Sequence, residues 1–106
     1  MTRYTPRRCS KRWLDGDCPA GVLAILDDPD CIDRYTILFT EVSEYDGELW
    51  MHYLGTSPSM NYSGYGEMRA HHVAAYRDLC KGQYIRWTDL PENIREHVRN
   101  FLSVEV

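Results

Sequence analysis

Two short runs of the chain, both rich in aromatic and β-branched residues, lie on either side of a strong turn signal. The first run is RYTILFTEV at 34–42, the second is ELWMHYL at 48–54, and Asp46-Gly47 lies between them. Aromatic and β-branched residues favour strands, and Asp-Gly readily adopts the positive φ angles of a two-residue hairpin turn. The pattern therefore predicts an antiparallel β-hairpin over about 34–54, and the rest of the fold has to pack around it.

The turn also sets the register of the hairpin and the residues on each of its faces. With Asp46 and Gly47 at the centre of the turn, three pairs are predicted beside it: Val42 with Met51, Ser43 with Trp50, and Glu41 with His52. One predicted face carries Tyr35, Ile37, Phe39, Trp50 and Leu54, and the other carries Leu38, Val42, Leu49, Met51 and Tyr53. Because both faces are apolar, we expect either that other elements cover both sides or that one face binds a partner.

Three segments have helical patterns. CPAGVLAILDD at 18–28 predicts a short helix, and EMRAHHVAAYRDLC at 67–80 carries an apolar stripe at helical spacing. DLPENIREHVRNFL at 89–102 predicts a closing helix, in which Asp89 and Glu92 have the spacing of a capping box. The stripe of this last helix is predicted to be buried: Leu90, Ile94, Val98, Phe101 and Leu102.

A third strand is predicted at about 83–87, where the sequence reads QYIRW. The fold class predicted from these elements is α+β, with a three-stranded sheet made of the hairpin and this strand and packed by about three helices. A chain of 106 residues has the length of one domain. We expect a basic N-terminal arm at 1–13 followed by a single domain at 14–106.

Charge is distributed unevenly in this chain, whose net charge is -4. Residues 1–13 carry five cations and no acid, whereas residues 14–48 carry ten acids and only Arg34 as a cation. An acidic surface repels nucleic acid and attracts basic proteins. We therefore expect a protein partner, either basic or itself nucleic-acid-binding, and no direct contact with nucleic acid except through the arm.

Membrane and secretory signals are not found in the sequence. No window reaches the ~20 apolar residues of a spanning helix, and the arginine-rich N-terminus lacks the apolar region of a secretory signal. The four cysteines, Cys9, Cys18, Cys31 and Cys80, have no C-x-x-C spacing, so we expect reduced thiols. These observations predict a cytoplasmic protein without membrane contact.

Residues 55–66 form a stretch without periodicity, GTSPSMNYSGYG, which predicts a long loop. Met60, Tyr62 and Tyr65 lie here among serine, asparagine and glycine, a composition typical of recognition loops. The alternative is that the tyrosines fold back on the sheet as a lid. A phosphate cradle is disfavoured, because no lysine or arginine lies between Arg34 and Arg69.

Catalytic and metal-binding motifs are also not found. His71 and His72 are adjacent on a predicted helix and point about 100° apart, which suits one metal poorly. Cys80 is predicted at a helix C-terminus, where the helix dipole raises the pKa of a thiol. We therefore expect no enzyme activity, no metal and no cofactor.

Four motifs occur in a fixed order along the chain: DRYTILF, YLGTSP, GYGEM and IRWTDLPENI, which together span about 33–98. In this order they resemble small uncharacterised proteins encoded by bacteriophages and prophages, which share an R-Y-T strand, a glycine loop and a D-L-P junction. The resemblance implies a phage accessory role directed against a host protein. It implies no catalytic residue.

The function expected from the sequence is a small non-enzymatic protein-interaction module. Its contact residues would be Met60, Tyr62 and Tyr65 in the loop, together with the acids Asp27, Asp28, Asp30 and Asp33, which would steer a basic partner. The alternative is a small-ligand or nucleotide-binding protein that uses the 55–66 glycine loop as a clamp.

Overall fold

The computed structural model describes residues 8–30, 34–59, 63–69 and 84–104. Four strands are formed: β1 (Val22–Asp27), β2 (Tyr35–Tyr45), β3 (Glu48–Thr56) and β4 (Ser63–Arg69). A 3-10 turn (Trp87–Asp89) and one helix, α1 (Glu92–Val104), follow them. The strands make one antiparallel sheet in the order β1-β2-β3-β4, so each strand pairs with its neighbour in sequence.

The predicted hairpin is confirmed as β2 and β3. Asp46 and Gly47 form its turn with φ angles of 52° and 79°, which are the positive values that the Asp-Gly pair was expected to supply. Two predicted pairs are also confirmed: Val42 lies opposite Met51, and Ser43 lies opposite Trp50.

The third predicted pair, Glu41 with His52, is wrong. The register shifts between Leu38 and Val42, so that three residues of β2, at 39–41, lie opposite His52 alone. Farther from the turn, Leu38 pairs with Tyr53. The acid directly opposite His52 is Glu67, which β4 contributes from the other side.

The predicted helix at 18–28 is wrong, because Val22–Asp27 forms strand β1. Its run of five apolar residues is buried along its whole length. A short continuous apolar run fits a strand covered on both faces as well as it fits a buried helix, and periodicity does not separate the two. Pairing with β2, from Asp27 opposite Tyr35 to Val22 opposite Phe39, decides for the strand.

Strand β4 (Ser63–Arg69) occupies the end of the predicted loop at 55–66 and the start of the predicted helix at 67–80. Both predictions are wrong for these residues. Gly55 and Thr56 belong to β3, and Gly55 pairs with Gly64. The ladder continues to Trp50 opposite Arg69. Residues 60–62 and 70–80 lie outside the described residues.

The predicted third strand at about 83–87 is reduced to a single bridge. Tyr84 pairs with Leu26, and the amide of Ile85 donates to the carbonyl of Ile25 at 3.2 Å, before Trp87 begins the 3-10 turn. Three strands with three helices is therefore the wrong count. The described part of the chain has four strands, one α-helix and a 3-10 turn.

The closing helix is confirmed as α1, which begins three residues later than predicted. Ile94 and Val98 of its stripe are fully buried. The predicted capping box differs in its partners, because the Asp89 carboxylate accepts a hydrogen bond from the amide of Arg86 at 3.1 Å and closes the 3-10 turn. None of the described helices combines the length and the apolar character needed to cross a bilayer.

The two apolar faces predicted for the sheet are confirmed by two clusters of buried residues. The larger cluster packs α1 and the 3-10 turn on one face of the sheet: Leu14, Val22, Ile25, Tyr35, Ile37, Phe39, Leu54, Trp87, Leu90, Ile94 and Val98. The smaller cluster occupies the opposite face: Leu23, Ala24, Leu26, Leu38 and Met51. Near the hairpin turn the cover ends, and Val42 and Tyr45 are exposed.

Residues 8–13, the described part of the predicted arm, lie against the sheet. The amide of Cys9 donates to the carbonyl of Leu23 at 2.9 Å, and the carbonyl of Trp13 accepts from the amide of Trp87 at 2.8 Å. Residues 1–7 lie outside the described residues. The domain boundary at residue 13 stays a prediction.

Candidate interaction site

Strand β4 is the outermost strand on its side of the sheet and is exposed along most of its length. It pairs with β3 through its inner edge, and no other described strand pairs with its outer edge. A strand edge that carries unpaired amide and carbonyl groups is a template for pairing with another chain. The outer edge of β4 is therefore the first candidate for a contact surface.

The two glycines in β4 have different surroundings. A Cβ atom on Gly66 would come within 2.7 Å of the hydroxyl and 2.8 Å of Cζ of Tyr53, because the Tyr53 ring lies across this residue. A Cβ atom on Gly64 would have no atom of the described residues within 4 Å. Gly66 is thus explained by packing within the sheet, whereas Gly64 leaves open space beside the edge.

Tyr65 has features of both alternatives predicted for the loop tyrosines, since it packs on the sheet as a lid would and is also exposed as a recognition residue would be. One side of its ring packs on His52 and on Phe101 of α1, each at a centroid distance of 5.3 Å. The residue is nevertheless 46% exposed, one of the largest exposed apolar surfaces in the described chain. Tyr65 is therefore held in position by the helix and the sheet, and it presents its other side to solvent.

His52 lies beside Tyr65 and is buried. Its Nε2 atom is 2.7 Å from Oγ of Ser43 on β2 and 3.6 Å from Oε1 of Glu67 on β4. Its Nδ1 atom is buried and has no hydrogen-bond partner among the described residues. The residue links three strands at the point where the register of β2 shifts, which is where a bulge re-aims side chains.

A serine, a histidine and an acid in contact invite comparison with a nucleophilic triad. In such a triad the acid binds the Nδ1 proton, which orients the ring and leaves Nε2 free to take the proton of the serine. Here Glu67 and Ser43 both approach Nε2, and no described residue bonds to Nδ1. The contacts join three strands, and within the described residues the acid that would orient the ring through Nδ1 is not found.

Trp50 continues the same row of side chains toward the hairpin turn. Its indole Nε1 is buried and has no hydrogen-bond partner in the described part of the chain. The Arg69 guanidinium lies 5.3 Å above its ring, and Tyr45 meets it edge-on at 6.5 Å. Arg69 also pairs with Glu48 at 3.0 Å. Trp50 therefore packs between Tyr45 and Arg69 near the hairpin turn, and this cluster is separate from the contacts of Tyr65 with His52 and Phe101.

The described acids among the predicted contact residues, Asp27, Asp28 and Asp30, do not lie beside β4. Asp27 accepts two hydrogen bonds from Arg34, at 2.7 and 3.1 Å, and Oδ1 of Asp28 accepts one from the amide of Asp30 at 3.2 Å. Asp27 ends β1, which is separated from β4 by three strand spacings, or about 14 Å. Met60, Tyr62 and Asp33 lie outside the described residues.

Ser43, His52 and Glu67 are the site residues that sequence reasoning missed as a group. A signal was present in residues 63–69, where Ser63, Tyr65, Glu67 and Arg69 alternate with Gly64, Gly66 and Met68. Such a period of two predicts a strand and would have placed Glu67 on the same face as Tyr65. Among the described residues no three of His, Cys, Asp and Glu are grouped as metal ligands.

Comparisons of the chain with protein-family models, curated proteins and solved structures found no match. They give no support to the predicted resemblance to phage and prophage proteins. A phage role therefore forms no part of the function proposed for this chain.

Proposed function

We propose that this chain is a non-enzymatic protein-interaction module that binds an extended segment of a partner protein along the outer edge of β4. The observation that carries the proposal is the position of β4, which is outermost in the sheet, exposed along most of its length and unpaired on its outer side among the described strands. Adding a strand to such an edge is a common mode of peptide recognition.

The edge gives affinity and the side chains beside it give specificity. Backbone hydrogen bonds to β4 would hold any extended segment, whatever its sequence. Tyr65 is preorganised by His52 and Phe101, so little side-chain entropy is lost when a partner packs on it. The open space at Gly64 accepts a large side chain, as Gly66 accepts the ring of Tyr53. We expect a segment with an aromatic or large aliphatic residue at the position next to Gly64.

Electrostatics favours a basic partner only through the charge of the whole chain. Of the charged groups on β4, Arg69 is paired with Glu48, and Oε1 of Glu67 lies 3.6 Å from Nε2 of His52. Asp27 is neutralised by Arg34 at the other edge of the sheet. The net charge of -4 supplies a long-range attraction that raises association rates at low salt. A basic protein, including one that binds nucleic acid, remains the expected partner class.

A cytoplasmic setting is part of the proposal. Cys18 is a free thiol, and burial raises its pKa to about 11, so that it stays protonated and weakly reactive at neutral pH. We do not favour the alternative of a nucleotide clamp, because Gly55, Gly64 and Gly66 belong to paired strands.

The experiment is a selection of random twelve-residue peptides on the immobilised protein, followed by affinity measurements on single peptides. Tyr65→Lys should weaken the selected peptides about tenfold, because a charge at an edge strand opposes strand addition. The matched control is Tyr45→Lys, since Tyr45 is a tyrosine of the same sheet with a similar exposure, 52%. We expect the control to change affinity less than twofold.

NMR titration of the selected peptides locates their binding site. The proposal requires the amide resonances of residues 63–69 to shift and their hydrogen exchange to slow when peptide is bound. Peptides that shift the resonances of other strands and leave β4 unchanged would contradict it. Equal losses in the two tyrosine variants would contradict it as well. A concentration-dependent mass in light scattering, without peptide, would identify a second copy of the chain as the occupant instead.

A further inference from the structure

Residues 8–20 fold back against the sheet, and side chains of this segment line an open cleft. The amide of Cys9 is bonded to Leu23 and the carbonyl of Trp13 to Trp87, so the segment is fixed at two points. The cleft has a volume of about 440 Å³. Sites for small molecules in proteins have volumes of about 300–1,000 Å³, so the cleft is large enough for a small organic ligand.

Arg8 lines this cleft and is held in one orientation. Its Nε atom donates to the carbonyl of Val22 at 2.7 Å, and its Nη2 atom donates to the carbonyl of Pro19 at 3.3 Å. These carbonyls orient the guanidinium without neutralising its charge. No carboxylate of the described residues forms an ion pair with Arg8. A guanidinium has five N–H donors, so three of them are available to an anion.

Two other charged groups line the cleft with Arg8. Lys11 adds a second, exposed cation. Asp15 adds a carboxylate whose oxygens accept from the amide of Thr88 at 3.1 Å and from its hydroxyl at 2.8 Å. The hydrogen bond from the Thr88 hydroxyl lowers the pKa of Asp15, so this group is a carboxylate at neutral pH. In a chain of net negative charge, the two cations of the lining outnumber its one acid.

The remaining wall of the cleft is neutral. Leu14 is buried and apolar. Cys18 keeps its proton at neutral pH, because burial raises its pKa to about 11, and its Sγ atom lies 3.6 Å from the carbonyl of Pro19. The wall would therefore accept the apolar part of a ligand whose anionic group lies on Arg8 and Lys11.

We infer that this cleft binds a small organic phosphate monoester. The two cations match the charge of about -1.5 to -2 that a phosphate monoester carries at neutral pH, and the fork of Arg8 matches its oxygens. Leu14 and Cys18 pack against the organic group. The site is separate from the proposed interaction surface, because residues 8–20 lie beside β1 and the interaction surface lies along β4.

The test is an NMR titration of the full chain with phenyl phosphate, inorganic phosphate and benzyl alcohol. Phenyl phosphate should produce saturable shifts in residues 8–20 and bind more tightly than inorganic phosphate, and the neutral alcohol should produce none. Arg8→Gln and Lys11→Gln should each weaken phenyl phosphate about tenfold, which is the expected loss for one charge-assisted hydrogen bond. The matched control is Arg12→Gln, which removes the same charge from a side chain that lies 5.5 Å over the ring of Trp13. We expect a change of less than twofold in the control.

Three outcomes would overturn the inference. Wild-type protein that shows no saturable shift in residues 8–20 has no such site. Equal weakening by Arg12→Gln and Lys11→Gln would show attraction to a diffuse positive surface in place of a cleft. Equal affinity for the two phosphates would show that the apolar wall contributes nothing. Lys11 makes no hydrogen bond or ion pair with another described residue, so Lys11→Gln remains informative if Arg8→Gln fails to fold.

Discussion

The two edges of the sheet differ in whether other described parts of the chain cover them. The outer edge of β1 is closed by irregular chain, since Cys9 donates to Leu23 and Ile85 donates to Ile25. The strand is buried along most of its length as a result. The outer edge of β4 has no such cover among the described residues, and the strand is exposed. An edge covered in this way becomes part of the core, whereas an uncovered edge stays available to another chain.

The segments that cover the edge of β1, residues 8–20 and 84–89, are joined to each other by side-chain hydrogen bonds. Trp87 is fully buried, and its Nε1 atom donates to Oδ1 of Asp17 at 2.8 Å. Thr88 donates to Asp15 through its amide and its hydroxyl. These hydrogen bonds join the segment before β1 to the segment before α1. The closed edge therefore depends on contacts that span most of the chain.

The largest expected difference between the edges is in their contribution to stability. Ile25 on β1 is 1% exposed, so Ile25→Ala should lower the free energy of unfolding by about 3 kcal/mol through lost burial and a new cavity. Tyr65→Ala on β4 should cost about 1 kcal/mol or less, because nearly half of this side chain already contacts water. Urea denaturation of both variants measures the difference. Equal losses would mean that β4 is as much a part of the core as β1.

The two glycines of β4 provide a smaller test within the open edge. Gly66→Ala should lower the free energy of unfolding by about 1 kcal/mol, because the new methyl group displaces the ring of Tyr53. Gly64→Ala should change it by less than about 0.5 kcal/mol, because nothing lies near the added atom. Thermal unfolding followed by circular dichroism compares the two. A larger loss at Gly64 would show that the space beside the edge is already filled.

The smallest expected effect is a dependence of the closed edge on acid. Hydrogen bonds lower the pKa of three carboxyl groups in the cover of β1: Asp15 through Thr88, Asp17 through Trp87, and Asp89 through Arg86. A group whose pKa is lower in the folded state stabilises the fold above its unfolded pKa and loses that contribution as the pH falls through its folded pKa. The melting temperature should therefore decrease as the pH is lowered below the ordinary value of 3.8.

A triple Asp→Asn variant at these three residues is the control for the acid effect. It removes the titrating groups, so its melting temperature should change less than that of the wild type between about pH 5 and about pH 2. An identical slope in the two proteins would assign the acid sensitivity to carboxylates elsewhere in the chain.

Elements specified by local sequence were predictable, and elements specified by pairing were not. The Asp46-Gly47 turn and the stripe of α1 are signals within a few residues, and both were predicted correctly. Strand β1 needed knowledge of its partner, because VLAIL is apolar at every position and has no period. Residues 67–69 of β4 were assigned to a helix, because the pattern of the residues after them is helical. Contacts with β3 override that preference.

The candidate site was predictable only in part for the same reason. Tyr65 was chosen from the composition of its surroundings, and it lies on the exposed edge. Ser43 lies diagonally across the ladder from His52, next to the shift in the register of β2, for which the sequence has no local signal. Asp27, Asp28 and Asp30 were grouped with Tyr65 as contact residues, yet Asp27 ends β1, at the edge of the sheet opposite Tyr65, and Asp28 and Asp30 follow it.

The irregular stretch of β2 has a consequence for how this hairpin can change length. Between Leu38 and Val42 the chain advances four residues while β3 advances two, so the surplus is two residues. Because side chains alternate with a period of two, an even surplus returns every later residue to its own face. Thr40 and Glu41 are exposed, so deleting both would shorten β2 and leave the remaining side chains on their present faces. Deleting only one would move the side chains between the deletion and the turn to the opposite face of the sheet. In this region insertions and deletions are tolerable in pairs.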